Sequence, residues 1–245
     1  MKEPRGFERI WHLYRQGGWA PALASVFDAR TAQQMAFIRS VMRESRRNDW
    51  FDRRLDELEV VVFDLETTGF FPHAGDEIIS IGAVLVHGER IGDEKFYTLV
   101  NPRRDVPENI QQLTGITDEM VRAAPELLDA LHDFLRFVRH RVLVAHGSGH
   151  DKRFLNSALW RTSKINLAHR LLDCIMLAKW LFPDRGRYDL DSLLADFGIE
   201  ITRRHHALED AVMTAHLWIK LVREAFRRGV PTLGDLYLQL GRSLA

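Results

Sequence analysis

Three short segments carry side chains that could do chemistry together. In the first, the apolar run Val60-Val61-Val62-Phe63 leads into Asp64-Leu65-Glu66-Thr67-Thr68-Gly69. Side chains alternate faces along a strand, so Asp64 and Glu66 leave it on one side. Two carboxylates so placed repel each other, and a cation relieves the repulsion. Hard oxygen donors suit Mg²⁺ or Mn²⁺. Thr67-Thr68-Gly69 then predicts a tight turn with exposed backbone amides. Asp189 and Asp191 share the spacing but read as a helix cap. The apolar strand before Asp64 and the Thr-Thr-Gly after Glu66 separate the two cases.

The second segment is Leu143-Val144-Ala145-His146-Gly147-Ser148-Gly149-His150-Asp151. An apolar strand ends in a Gly-rich bend, and a helix begins near His150. Asp151 falls in the first turn, where the helix dipole favours an anion; an ordinary helix-start aspartate has the same look. The third segment is His205-His206-Ala207-Leu208-Glu209-Asp210-Ala211. On one helix, His205 and Asp210 would lie about 140° apart. They converge only if His205 hangs from a loop before the helix that carries Asp210. Arg203 and Arg204 suit an exposed cationic loop. A His/Asp zinc site is the alternative, but no cysteine or further histidine falls at ligand spacing nearby.

These groups need a scaffold. Strands are predicted at 59–63, 77–86 and 93–100, with Gly88 and Gly92 marking the turn between the last two. The short connections imply an antiparallel meander. Helices are predicted at 107–122, 125–139, 150–161, 174–182, 190–197, 206–228 and 232–241, with short strands at 141–145 and 170–172. The order gives an α/β fold, a mixed central sheet flanked by helices. Upstream, Thr31 and Gln34 suggest a capping box. Met35, Ile38, Val41 and Met42 follow at helical spacing, on a helix with a basic outer face. That helix either packs on the main domain or forms a basic arm for nucleic acid or a partner.

Composition narrows the field. The 245 residues are 46% hydrophobic and 28% charged, which excludes a disordered chain or a disulfide scaffold. Thirty-four basic residues balance thirty-four acidic ones, so wholesale electrostatic binding of nucleic acid is not signalled. The charge is unevenly spread: residues 1–54 hold eleven Lys/Arg against six Asp/Glu, a surplus of five. The lone Cys174 permits no internal disulfide and suits a cytoplasmic location. No run of 18 apolar residues exists, so no membrane association is expected. The apolar patch at 19–27, broken by Pro21 and Ser25, does not read as a secretory signal.

Together the segments resemble the DEDDh, DnaQ-like 3′→5′ exonucleases, and are similar to the proofreading exonuclease of bacterial DNA polymerase III. Asp64-Leu65-Glu66-Thr67-Thr68-Gly69 matches the first motif. Val144-Ala145-His146, followed by Asp151 and Phe154-Leu155, matches the second. His205, Ala207, Leu208, Asp210 and Ala211 match the third. Asn101-Pro102, Val106-Pro107, Ile110 and Leu113-Thr114-Gly115-Ile116-Thr117 extend the likeness, which spans about 58–225. Two positions depart from the pattern. The family usually has Asn where this chain has Gly147, and Phe where it has His150.

The resemblance implies a ribonuclease H-like fold at 56–228, with a helical extension at 1–55 and a C-terminal helix at 229–245. It implies two Mg²⁺ or Mn²⁺ ions held by Asp64, Glu66, Asp151 and Asp210, with Asp64 between them and His205 as general base. The Thr67-Thr68-Gly69 turn would bind the terminal sugar, and Leu113 and Ile116 would pack on the terminal base. His146 would stack on that base. Lys152, Arg153, Arg203 and Arg204 are candidate phosphate contacts. The implied activity is removal of nucleoside 5′-monophosphates from a free 3′ end, with single-stranded or frayed DNA preferred. An RNA exonuclease and a catalytically silent binding module are the rival readings. A DNA polymerase partner, if there is one, would be a separate chain.

Overall fold

The computed structural model describes residues 29–47 and 49–243. Residues 1–28 of the expected N-terminal extension, with the patch at 19–27, lie outside the described residues. Strands β1 (Glu59–Thr67), β2 (Ile78–His87) and β3 (Arg90–Leu99) form the meander. Helices α2 (Glu108–Thr114), α3 (Asp118–Arg122) and α4 (Leu127–Val138) lead to strand β4 (Val142–Ala145). Helix α5 (Gly149–Ser163), strand β5 (Leu171–Asp173) and helices α6 (Cys174–Leu181) and α7 (Leu190–Asp196) follow. The long α8 (Ala207–Arg227) and α9 (Leu233–Ser243) complete the chain, and α1 (Ala29–Ser45) precedes the sheet.

The sheet order is β3-β2-β1-β4-β5. β1 pairs antiparallel with β2 and parallel with β4, and β4 pairs parallel with β5. The central strand is thus the one bearing Asp64 and Glu66. Its alternation divides the core. Val60 and Val62 pack with Leu177, Leu193 and Leu217 on the face covered by α6, α7 and α8. Val61 and Phe63 pack with Ile38, Leu131, Phe134 and Leu155 on the face covered by α1, α4 and α5. Each such side chain, fully buried, contributes about 1.5–3 kcal/mol. Period two carries Asp64 and Glu66 onto the α8 face. Helix α1 is seated in the second cluster through Ile38, Val41 and Met42, while Arg39 and Arg43 face outward.

Local details depart from the sequence reading where backbone geometry decides. The capping box is replaced: Thr31 lies inside α1, and the Gln34 amide instead donates to Asp129 at 2.7 Å. β3 begins at Arg90 with Gly92 inside it, because Gly88 alone, at φ 56°, makes the turn. The single helix expected at 107–122 is two. Gly115, at φ 74°, ends α2, and the Thr117 hydroxyl accepts the Met120 N–H to start α3.

Gly82 of β2 sits beside Asp64 in the register and beneath the start of α8. A Cβ there would lie 2.2 Å from the Ala207 carbonyl carbon and the Leu208 nitrogen. Neither is a side chain that can rotate away. Gly82→Ala is therefore expected to destabilise the fold by about 1–3 kcal/mol and to lift the first turn of α8 off the sheet. Thermal melts with amide exchange at 207–210 check this; unchanged exchange there would mean that the helix start is not tied to Gly82.

Candidate active site

Asp64 and Glu66 reach the α8 face at the C-terminal end of β1. Asp210 comes from the first turn of α8, and Asp151 from the first turn of α5. His205 lies outside α8, at φ 57°, in a left-handed conformation uncommon for a residue with a side chain. Its N–H donates to Asp210 Oδ2 at 2.8 Å. The loop geometry needed to bring His205 and Asp210 together is therefore present. Ligand atoms of Glu66, His205 and Asp210 lie within 4.8 Å of one another. A cleft of about 400 Å³ opens onto them, lined also by Asp64, His146, Gly147, Ile175, Asp189 and Arg204.

The acids crowd one another. Burial pushes Asp64 well above the usual carboxylate range, and repulsion from Asp151, Glu66 and Asp210 adds to it. Burial and then Asp210 raise Glu66 to about 8. Burial and then Asp173 raise Asp151 to about 7. Asp210 is raised by burial, against the opposing pull of Arg204. Such a donor set fits a hard divalent cation, which would offset the desolvated charge. The Arg204 guanidinium offsets part of it here: Nη1 pairs with Asp210 Oδ1, and Nε donates to Asp191 Oδ1 at 2.5 Å.

This crowding has a measurable consequence. Carboxyls with raised pKa values in the folded protein hold protons that the unfolded chain releases. The stability these carboxyls contribute to the ion-free protein is therefore fully present in acid and is lost as pH rises from the ordinary Glu66 value of 4.5 towards about 8. In chelator the melting temperature should fall from about pH 5 to pH 8, and saturating Mn²⁺ should remove the slope. A flat profile in chelator would mean that burial and mutual repulsion do not raise these carboxyls.

Asp173, which the sequence reading passed over, holds the second motif. Its Oδ1 accepts the N–H groups of Gly147 and Ile175, and its Oδ2 accepts the N–H and hydroxyl of Ser148. Gly147 stands at φ 74°, where Gly and Asn are the residues best tolerated, so its replacement of the usual Asn keeps the backbone path. His150 keeps an aromatic ring where Phe is usual. It contacts Phe154 at 4.7 Å and Phe70 at 5.8 Å, with Nε2 3.4 Å from Thr67 Oγ1.

Other expected contacts are distributed unevenly. The Thr67-Thr68-Gly69 turn is less open than expected. The Thr68 N–H is bonded to the Glu77 carbonyl, and the Thr68 hydroxyl and the Phe71 N–H both donate to Asp76. Leu113 is half-exposed, but Ile116 is buried with Ile79, Val106, Ile110 and Val121. Lys152 and Arg153 are exposed. Arg203 instead ties its loop to α2, donating to the Thr114 carbonyl at 3.3 Å. Asp189 caps α7 as expected, accepting the Ser192 N–H, yet it also lines the cleft. Phe70 and Phe71, 69% and 68% exposed, flank a second cleft with Arg153. Two consecutive phenylalanines just after a tight turn were the signal for them.

Among the described residues no helix is long and apolar enough to cross a membrane. The exonuclease family pattern matches residues 61–218. The "DNA polymerase III PolC-type" of Bacillus subtilis (strain 168) is 37% identical over 194 residues, 79% of this chain and 13% of that protein. A "DNA polymerase III subunit epsilon-like protein" of Rhodobacter capsulatus is 40% identical over 189 residues, 76% of this chain and 27% of that one. The chain thus spans well under a third of either relative's length. Among solved structures, "Exonuclease X in complex with 5′ overhanging duplex DNA" has a TM-score of 0.58 at 22% identity, covering 74% of this chain and 99% of its own. The nuclease domain of 3′hExo, a DEDDh family member bound to rAMP, has a TM-score of 0.58 at 22% identity, covering 71% and 94%. These neighbours share the ribonuclease H-like fold expected from the sequence. Matched from the central strand through to α8, the chain belongs to the exonuclease family.

Proposed function

We propose that this protein is a divalent-metal-dependent 3′→5′ exonuclease acting on DNA and releasing nucleoside 5′-monophosphates. The observation that carries this is the meeting of Asp64, Glu66, Asp210 and His205 at one cleft, with Asp151 close enough to repel Asp64. Asp64, Glu66, Asp151 and Asp210 would hold two Mg²⁺ or Mn²⁺ ions. When bound, these would supply positive charge at the scissile phosphate and at the departing O3′.

The remaining work falls to the chain. The His205 ring, beside Glu66 and Asp210, takes the proton from the attacking water. Water adds to phosphorus as the P–O3′ bond breaks, and the departing O3′ takes up a proton from solvent, so the shortened strand ends in a 3′ hydroxyl. Lys152 and Arg153, both exposed, bind backbone phosphates. The Thr67-Thr68-Gly69 turn borders the terminal sugar. Leu113 and His146 hold the terminal base, with Ile116 as the apolar backing behind Leu113. In this reading residues 56–228 do the catalysis, flanked by 1–55 and 229–245. The relatives' names favour a DNA substrate and a DNA polymerase as partner.

The decisive experiment offers the protein with Mg²⁺ or Mn²⁺ to 5′-labelled single-stranded DNA, frayed duplex DNA and RNA. A one-nucleotide ladder on DNA is expected, shortening from the 3′ end and absent in chelator. Faster degradation of RNA would move the assignment to an RNA exonuclease. No cleavage of any strand would leave the silent binding module.

A further inference from the structure

Arg204 occupies a position that a phosphate-binding surface residue would not. Its side chain is only 26% exposed, and it reaches back from the loop before α8 into the acid cluster. Asp210, the carboxylate it meets, is 5% exposed. The two oxygens of Asp210 are engaged by consecutive residues: Oδ1 by the Arg204 guanidinium and Oδ2 by the His205 N–H. The backbone N–H carries no net charge and is compatible with a cation on the same carboxylate. The guanidinium is not, because it would face a divalent ion at close range across a poorly solvated cleft. Arg204 also has a second partner further out. Its Nε donates to Asp191, whose side chain is 57% exposed.

We infer that Arg204 is an internal counter-ion: it closes the acid cluster in the ion-free protein and is displaced outward onto Asp191 when a divalent ion arrives. This rests on the metal-dependent reading above. Asp191 is the resting place that lets the guanidinium leave Asp210 without losing every partner. Once displaced, the guanidinium stands near the cleft, able to meet a phosphate only after the metal is in place. Arg204 is thus a positioning residue that sets the order of binding.

The test is a Mn²⁺ titration of nucleic-acid-free protein, followed by loss of the free-ion EPR signal. It compares wild type, Arg204→Gln, Asp191→Asn and the double variant. Arg204→Gln should bind Mn²⁺ about tenfold more tightly, since no ion pair has to be broken first. Asp191→Asn should bind several-fold more weakly, because the guanidinium then has only Asp210. The double variant should match Arg204→Gln. In chelator, Arg204→Gln should melt below wild type, and Mn²⁺ should close the gap. Equal or weaker Mn²⁺ binding by Arg204→Gln overturns the inference, as does an Asp191→Asn effect that persists in the double variant. If no form binds Mn²⁺, the metal-dependent reading fails and the counter-ion role with it. Wild-type binding without a gain in Arg204→Gln removes the counter-ion role alone.

Discussion

Asp64→Asn is expected to give a folded protein that does not cut. The residue sits on the central strand, paired with Gly82 of β2, so an isosteric amide leaves the backbone where it was. What changes is charge. Asp64 is buried and feels Asp151, Glu66 and Asp210 together. On the proposed mechanism, losing this anionic ligand would remove several kcal/mol of transition-state stabilisation, so cleavage should fall by about 10³-fold or more. Mn²⁺ affinity by calorimetry should fall with it. In chelator near neutral pH the variant should melt above wild type, because a carboxyl that burial and its neighbours keep from ionising becomes a neutral amide. Turnover near that of wild type would show that the reacting phosphate binds elsewhere.

The second large effect separates two adjacent histidines. His205→Ala should lower kcat by about 10²–10⁴-fold, the usual worth of a positioned base, while Mn²⁺ affinity stays close to wild type. His206 does different work. Its ring stacks on Tyr97 with centroids 4.7 Å apart, and its Nδ1 accepts the Glu209 N–H at the start of α8. His206→Ala should therefore cost about 1 kcal/mol as a lost cap and leave kcat within a few-fold of wild type. His150 stands 3.4 Å from Thr67 Oγ1, so the His150→Ala, His205→Ala pair tests whether a second imidazole rescues activity. A greater loss of turnover in His206→Ala than in His205→Ala would reverse the assignment.

Much of this site was legible because two periodicities are rigid. Strand alternation alone puts Asp64 and Glu66 on one face, and helical rotation alone requires His205 to precede α8. The same rules place Ile38, Val41 and Met42 on the buried side of α1. What could not be read depends on contacts between segments far apart in sequence. The helix break at Gly115 turns on one positive φ, where Arg203 packs from 88 residues away. Ile116 and Leu113 look alike as apolar residues, and only the packing of α2 and α3 buries one and exposes the other. Arg203 and Arg204 look alike as surface cations, yet the loop leaves Arg203 exposed and folds Arg204 inward. Asp173 carries no motif of its own, because its partners are backbone groups, which sequence does not mark.

The Asp173 knot changes how loss of function in such chains should be diagnosed. A chain that keeps all four acids and the histidine, but has lost this one carboxylate, would pass any inspection of its motifs. It would still have two amides of the β4–α5 bend and the first turn of α6 without their common acceptor. Asp151, a few residues along, would then sit on a slack support. Loss of Asp173 alone would then lower activity with every residue that touches substrate unchanged.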